Sequence, residues 1–461
     1  MKVLFVNRFY WPETPATGQL LTDLAEGLVG LGWEVTVITS AASAEAPTRQ
    51  VHRGVKILRV TGTRWARHGT FGKAIDFGTF YFGALWRVLR EAQRGTMVIP
   101  MTDPPMLGVG VGWAASCRRA RMVHWIQDIY PEIAIELFGH RWLRVLRPLR
   151  NLAWRSADAC VTIGSDMAKA LTTAGVRGER TVIVPNWGPA GVAPLERASA
   201  DTGCISELSQ PGATPERGSS QAAAGDLALR ALPMRLSSDL HSDSQRQLGE
   251  TPTSALRREW GLTGKFVVAY SGNLGRVHDL ESVVALAETL RNEPEIAVIL
   301  VGDGAQRRAL EAMARERALT NLTFHPPQPR EGLRDTLAVG DLHLVTLRPG
   351  CENYVFPSKL YGIAAAGRPI LFIGPTDCEV ARCVIANGLG HVAVRGDIAA
   401  MAAAVRHLSS DSSACARHRA QCLHFAERHT ASVAVEKWHT LLSSIAGSPQ
   451  TPSNAQPGGA A

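Results

Sequence analysis

Lys359 follows Pro357 and Ser358 at the start of a short helical pattern, inside the stretch CENYVFPSKLYGIAAAGRPI that runs from Cys351 to Ile370. Pro357 fixes the chain ahead of the helix, Ser358 is placed as its N-cap, and the run from Leu360 to Ala366 is small and apolar enough to lie against a sheet. A helix N-terminus offers free N–H groups and partial positive charge, which suits a phosphate near Ser358, Lys359 and Leu360. Lys359 puts a full positive charge at that same end. This opposes the helix dipole in isolation and makes sense beside an anion. The stretch fits equally well an ordinary loop–helix–strand unit with a solvated lysine.

Two more loops carry related chemistry. Gly272-Asn273-Leu274-Gly275-Arg276-Val277-His278-Asp279 follows the apolar run ending at Ser271, and Gly302-Asp303-Gly304 follows the run ending at Val301. Glycines let backbone approach a diphosphate, and Arg276 and Lys359 can neutralise it. One glycine loop is a weak signal; three on successive strand ends, with cations, are a stronger one. In HWIQDIYPE, Asp128 ends an apolar run. It can bind an acceptor hydroxyl or act as a base, or it can cap a helix running through Glu136. His124 on the same run can reach a substrate or be a packed core residue. Gly18 starts a helix where backbone passes close to a neighbour, or makes a plain tight turn. No Asp-x-Asp pair or His/carboxylate cluster sits at a strand end, so no metal is expected.

These residues need strands to hold them. Val3–Val6, 33–39, 55–60, 97–100, 122–126 and 159–163 read as strands, with an amphipathic helix over Gln19–Gly30. The βαβ opening implies a parallel sheet with ligand chemistry at the carboxyl ends of its strands. A second α/β series, with strands near 265–271, 296–301, 321–324, 342–347 and 369–373, brings the loops at 272–279, 302–304 and 350–359 to one edge. Between the two series, residues 191–254 are rich in Ala, Ser, Gly, Gln and Pro and read as a disordered insertion, as does the tail over 447–461.

The 461 residues suffice for two or three domains, and 45% apolar composition fits a globular chain. A net charge of +8 favours an anionic partner such as a nucleotide-sugar, a membrane surface or nucleic acid. No nucleic-acid motif accompanies it, so nucleic acid is the least favoured. Eight scattered cysteines without a CxxC pair indicate neither zinc nor a disulfide framework. The first apolar run is too short for a signal peptide, and no uninterrupted apolar run reaches the ~18 residues of a spanning helix. Two segments stand out: residues 71–94, aromatic on one side and basic at the end, and HRWLRVLRPLRNLAWR over 140–155, apolar at helical spacing with five arginines. The second reads as an interfacial helix on an anionic membrane, kinked at Pro148, or as a core helix with a solvated basic face.

The ordered set NRFYWPETPATG, GLGWEVTVITS, HWIQDIYPE, VPNW, YSGNLGRVHDLE, VGDG and PSKLYGIAAAGRP resembles the family 4 type of retaining glycosyltransferase, in its capsule, O-antigen and colanic-acid assembly branch. The resemblance covers residues 1–190 and about 255–445. It implies an α/β fold with two Rossmann-like parallel-sheet domains facing a cleft, the GT-B architecture. The first domain (1–190) would bind the acceptor and the second (255–432) the nucleotide-sugar donor. A last helix over 433–446 would cross back to the first domain. It implies a lipid-linked or oligosaccharide acceptor, no cofactor, and a cytoplasmic protein held peripherally on the inner face of the plasma membrane. A nucleotide-sugar 2-epimerase or a non-catalytic assembly subunit shares enough of the pattern to stand as alternatives. The sequence also departs from the family. An Arg and a Lys common in the loop after the second domain's first strand fall on Asn273 and His278; Arg276 can supply charge, and His278 can donate a hydrogen bond or carry charge. Two family glutamates eight residues apart fall on Tyr354 and Gly362, with Glu352 near the first.

Overall fold

The computed structural model describes residues 1–13, 15–41, 46–62, 69–189, 191–192 and 252–447. Most of the insertion expected at 191–254, and the tail after Gly447, lie outside the described residues. The first sheet has eight strands: β1 (Lys2–Val6), β2 (Glu34–Ser40), β3 (Arg49–His52), β4 (Val55–Val60), β5 (Met97–Pro100), β6 (Arg121–Ile126), β7 (Ala159–Thr162) and β8 (Thr181–Ile183). Their order is β3-β4-β2-β1-β5-β6-β7-β8, parallel throughout except for β3 against β4. The second sheet is wholly parallel: β9 (Phe266–Ser271), β10 (Ile296–Val301), β11 (Leu322–His325), β12 (Leu342–Thr346), β13 (Ile370–Ile373) and β14 (Gly390–Ala393), ordered β11-β10-β9-β12-β13-β14.

The strands are continuous apolar runs because helices cover both faces of each sheet. On β1, Val3 and Phe5 join one buried cluster while Leu4 and Val6 join the opposite one. On β9, Val268 and Tyr270 face one cluster and Val267 and Ala269 the other. In the first domain the helices are α1 (Ala16–Gly30), α2 (Gly69–Glu91), α3 (Leu107–Cys117), α4 (Glu132–Phe138), α5 (Arg147–Ser156) and α6 (Ser165–Thr173). A helix over Pro252–Glu259 opens the second domain, and the helix Ala431–Gly447 returns to the first. It seats Val435, Trp438 and Leu442 in the first domain's core, and Trp33 donates from Nε1 to Nδ1 of His439 at 2.9 Å. Burying a side chain of this kind stabilises by about 1.5–3 kcal/mol.

One cluster joins the domains. Ile126, Ile129, Trp154 and Met167 pack in it with Leu360, Tyr361, Phe372 and Val380. Beside it two helix starts cap each other. Asp166 accepts the Glu379 N–H at 2.6 Å, and Glu379 accepts the Asp166 N–H at 3.2 Å.

Three local expectations are corrected. The segment 140–155 is not one helix kinked at Pro148. A 3-10 turn over Arg141–Leu146 leads into α5, where Pro148 sits in the first turn and its missing N–H costs nothing. Asp128 does not cap a helix through Glu136, because α4 starts at Glu132 with Pro131 ahead of it. The strands β3 and β14 were not foreseen.

Candidate active site

The second domain brings its loops together by backbone hydrogen bonds. Gly272 N–H donates to the Val301 carbonyl (2.9 Å), Gly302 N–H to His325 (3.0 Å) and Leu274 N–H to Asp303 (2.9 Å). Gly302 has φ +144, and a Cβ there would lie 2.0 Å from the Gly272 carbonyl oxygen. Only glycine fits this crossing. The Gln306 amide donates to the carbonyls of Gly275 (2.7 Å) and His278 (3.1 Å), and Arg348 donates to His278 (3.3 Å) and to the Gln306 side-chain oxygen (3.3 Å). Gln306 and Arg348 thus fix the 272–279 loop. The sequence reading missed both, since neither lies in a glycine motif. Asn273 is exposed, and its carbonyl accepts from the Tyr270 hydroxyl at 2.8 Å.

Lys359 reaches into this cluster. Its Nζ is buried, has no hydrogen-bond partner, and lies 3.5 Å from the centroid of the Tyr270 ring. A Cβ on Gly272 would be 3.2 Å from it. Burial holds the ammonium pKa well below the usual lysine range. The ring face gives partial compensation, and among the described residues no acid does. His278 is not the spare cation that the sequence left open. Its Nδ1 faces the Thr346 carbonyl at 2.7 Å, so that nitrogen carries the proton, and burial followed by Lys359 pushes the ring down to about 3. Arg276 is exposed at the loop tip, its guanidinium 5.5 Å from the ring centre of Phe138 on α4. Glu352 keeps a buried, partnerless Oε2.

The helix start itself offers less than expected. The helix Lys359–Ala365 has seven residues, and the Ser358 hydroxyl makes no capping bond. The Leu360 N–H already donates to the Pro357 carbonyl (3.1 Å), and Tyr361 N–H to Ser358 (3.1 Å). The Leu360 side chain is buried in the core. A tight first turn therefore satisfies these amides internally, and the anion-binding character rests on Lys359. Gly362 lies under the chain that leaves the first domain. A Cβ there would meet Pro189 Cδ at 3.4 Å and Leu337 Cδ1 at 3.7 Å. Gly18, the third residue of α1, abuts its own chain: a Cβ would lie 3.2 Å from Phe9 backbone.

Facing these loops, β6 runs into Asp128. The Asp128 N–H donates to Thr102 Oγ1 at 3.2 Å, Asp128 bridges antiparallel to Val355, and the Ile129 N–H donates to the Tyr354 carbonyl at 2.9 Å. The Asp128 loop and the 351–356 loop are thereby joined. Burial, then the charge of Asp103, pushes the Asp128 carboxyl up to about 7. Asp103 pairs with Arg8 at 3.4 Å. Asp128 shares a cavity of about 20 Å³ with His124, Tyr130, Arg150, Trp154 and Met106. His124 is buried against Gly108, and burial plus Arg150 hold it down at about 3, so it is neutral. Arg150 is not part of a solvated basic face. It is buried, grips Glu132 with two 2.8 Å bonds, and lies 3.8 Å over Trp154. Arg147 adds a 3.1 Å contact to Glu132.

Residues 17–187 match the family described as glycosyl transferase 4-like domain, and residues 253–424 match glycosyl transferases group 1. The chain belongs to the family 4 glycosyltransferases. This transferase is 25% identical over 387 residues to the putative colanic acid biosynthesis glycosyl transferase WcaI of Escherichia coli, covering 80% of this chain and 82% of that protein. It is 25% identical to the probable glycosyltransferase WbjE of Pseudomonas aeruginosa, covering 69% and 67%. Its fold is that of GT-B transferases. The crystal structure of Anabaena HepE in complex with UDP-glucose superimposes with a TM-score of 0.66 at 14% identity, covering 96% of this chain and all of that one.

Proposed function

We propose that this enzyme moves a sugar, with retention of configuration, from a nucleoside-diphosphate sugar to a lipid-linked glycan in the assembly of a surface polysaccharide. The observation that carries the reading is Lys359, a buried ammonium without an acid partner, held against the tightest loops of the second domain. A diphosphate over Gly272 supplies the missing anion. Arg276 closes from the loop tip, and no metal or cofactor is needed. Both cations stabilise the charge that grows on the leaving group; one well-placed group of this kind is worth roughly 3–4 kcal/mol, or about 10²–10³ in rate. The HepE complex with UDP-glucose supports the donor class, and the WcaI name supports polysaccharide assembly.

Glu352 is assigned to the donor sugar, with its unpartnered oxygen accepting a hydroxyl. The acceptor hydroxyl attacks from the face the diphosphate leaves. Asp128 accepts its proton or holds it in line, and His124, neutral in the same cavity, is assigned to orient the acceptor. No protein nucleophile is called for.

The lipid carrier is supported by the outer face of the first domain. Phe82 and Trp86 on α2, Trp113 on α3, and Trp142, Val145, Leu149 and Leu152 around α5 are all exposed. Arg90, Arg118, Arg141 and Arg144 are exposed on the same elements or just beyond them. Apolar side chains among arginines suit the inner, anionic face of a plasma membrane. No helix among the described residues is long and apolar enough to cross one. The test is nucleotide release from UDP-, GDP- and dTDP-sugars with and without membrane lipid extract. Release that requires the extract supports the reading. Turnover of donor without any acceptor would point to an epimerase, and no turnover at all to a non-catalytic subunit.

A further inference from the structure

A second cavity, of about 470 Å³, opens beside α1 and plays no part in the chemistry above. Its volume falls in the ~300–1,000 Å³ range of small-molecule pockets. One wall is Trp11 stacked on His52, ring centroids 3.7 Å apart and planes nearly parallel. Arg59 fixes that wall by donating to the Trp11 carbonyl (3.3 Å) and to Gln50 (2.8 Å). The remaining lining is acidic: Glu13, Asp23 and Glu26, with Glu331 arriving from the loop after β11. Arg53 also lines it, paired to Glu26 at 3.0 Å, and Asp23 accepts from Trp187 Nε1 at 3.3 Å. Four carboxylates around one cavity run against the chain's net charge of +8.

This lining selects among ligands. Among the described lining residues, a phosphate or a uronate would meet four carboxylates, with Arg53 and His52 both already facing Glu26. A sugar ring has hydroxyl edges that donate to carboxylates and a C–H face that packs on aromatic rings. The cavity also has a position relative to the reaction. Glu13 lies within electrostatic reach of both Arg8 and Asp103, which pair at 3.4 Å, and Asp128 lies within reach of Asp103.

We infer that this cavity is a subsite for an uncharged or amino sugar of the acceptor glycan, next to the unit that reacts at Asp128. The inference rests on the glycan-transfer reading, and it adds a substrate class: an oligosaccharide whose flanking unit is not anionic. The test needs no turnover. Saturation-transfer NMR on the full chain would use methyl glucoside, methyl glucosaminide and methyl glucuronide. The first two should bind, and the glucuronide should be about tenfold weaker, the scale of one screened like-charge contact. A UDP, GDP and dTDP mixture should not displace them. Trp11→Ala should abolish the signals. The exposed Glu331→Arg, which leaves the core untouched, should raise glucuronide binding. Equal binding of all three glycosides, displacement by nucleotide, or no response to Glu331→Arg would overturn the subsite. Glycoside binding that persists in a chain releasing no nucleotide from any donor would instead count against the transfer reading.

Discussion

The donor-side loops and the acceptor-side cavity satisfy their polar groups in opposite ways. On the donor side, backbone bonds and side chains such as Gln306 and Arg348 lock the glycine loops, and a cation is left without an acid. On the acceptor side the arginines are already matched, since Arg150 holds Glu132 and Arg8 holds Asp103, and the cavity at Asp128 has room for little more than a water. A preassembled lysine, its charged form disfavoured by burial, waits for an anion. A closed cavity must open for one. The difference indicates that donor binding needs little rearrangement, whereas the acceptor must displace packed side chains.

That contrast can be broken from either side. The largest effect should come from Glu132→Ala. It strands the buried Arg150, and breaking such a pair costs about 3–5 kcal/mol, read as a drop in thermal unfolding temperature. Next, Lys359→Ala should lower turnover by about 10²–10³ while thermal stability holds or rises, because a buried ammonium without an acid is unfavourable. A stability loss matching the activity loss would make Lys359 a structural residue. Third, with the Asp128 carboxyl at about 7, the ionised form needed for a base appears as pH rises. Turnover should climb toward pH 7 and level off above it, and Asp128→Asn should remove that limb. The smallest effect belongs to the outer face. Arg141→Glu with Arg144→Glu should weaken sedimentation with anionic vesicles by about 1 kcal/mol per arginine and leave turnover on a soluble acceptor unchanged.

Much of the fold was legible because buried parallel strands are apolar runs closed by Gly, Pro or polar residues. β3 was not, since Arg-Gln-Val-His has one apolar residue and pairs at an edge. β14 starts at a glycine and carries a histidine. The site was legible where chemistry sits at strand ends, as with Asp128, the glycine loops and Lys359. What depended on distant partners was not. The raised carboxyl of Asp128 comes first from burial and then from Asp103, and the buried state of Arg150 needs Glu132, a residue 18 positions away. His278 loses its charge to burial that no motif announces. Gly362 was marked by the family comparison, but its packing under Pro189 is announced by no motif.

The central claim is that Lys359 receives the donor diphosphate. A buried, depressed ammonium should gain a proton when that anion arrives. Calorimetric titration of UDP, GDP and dTDP at mildly alkaline pH, in two buffers of different ionisation enthalpy, reads this uptake directly. The account predicts a binding heat that depends on the buffer, and loss of both that dependence and affinity in Lys359→Met. Tight binding with buffer-independent heat, unchanged in Lys359→Met, would contradict it.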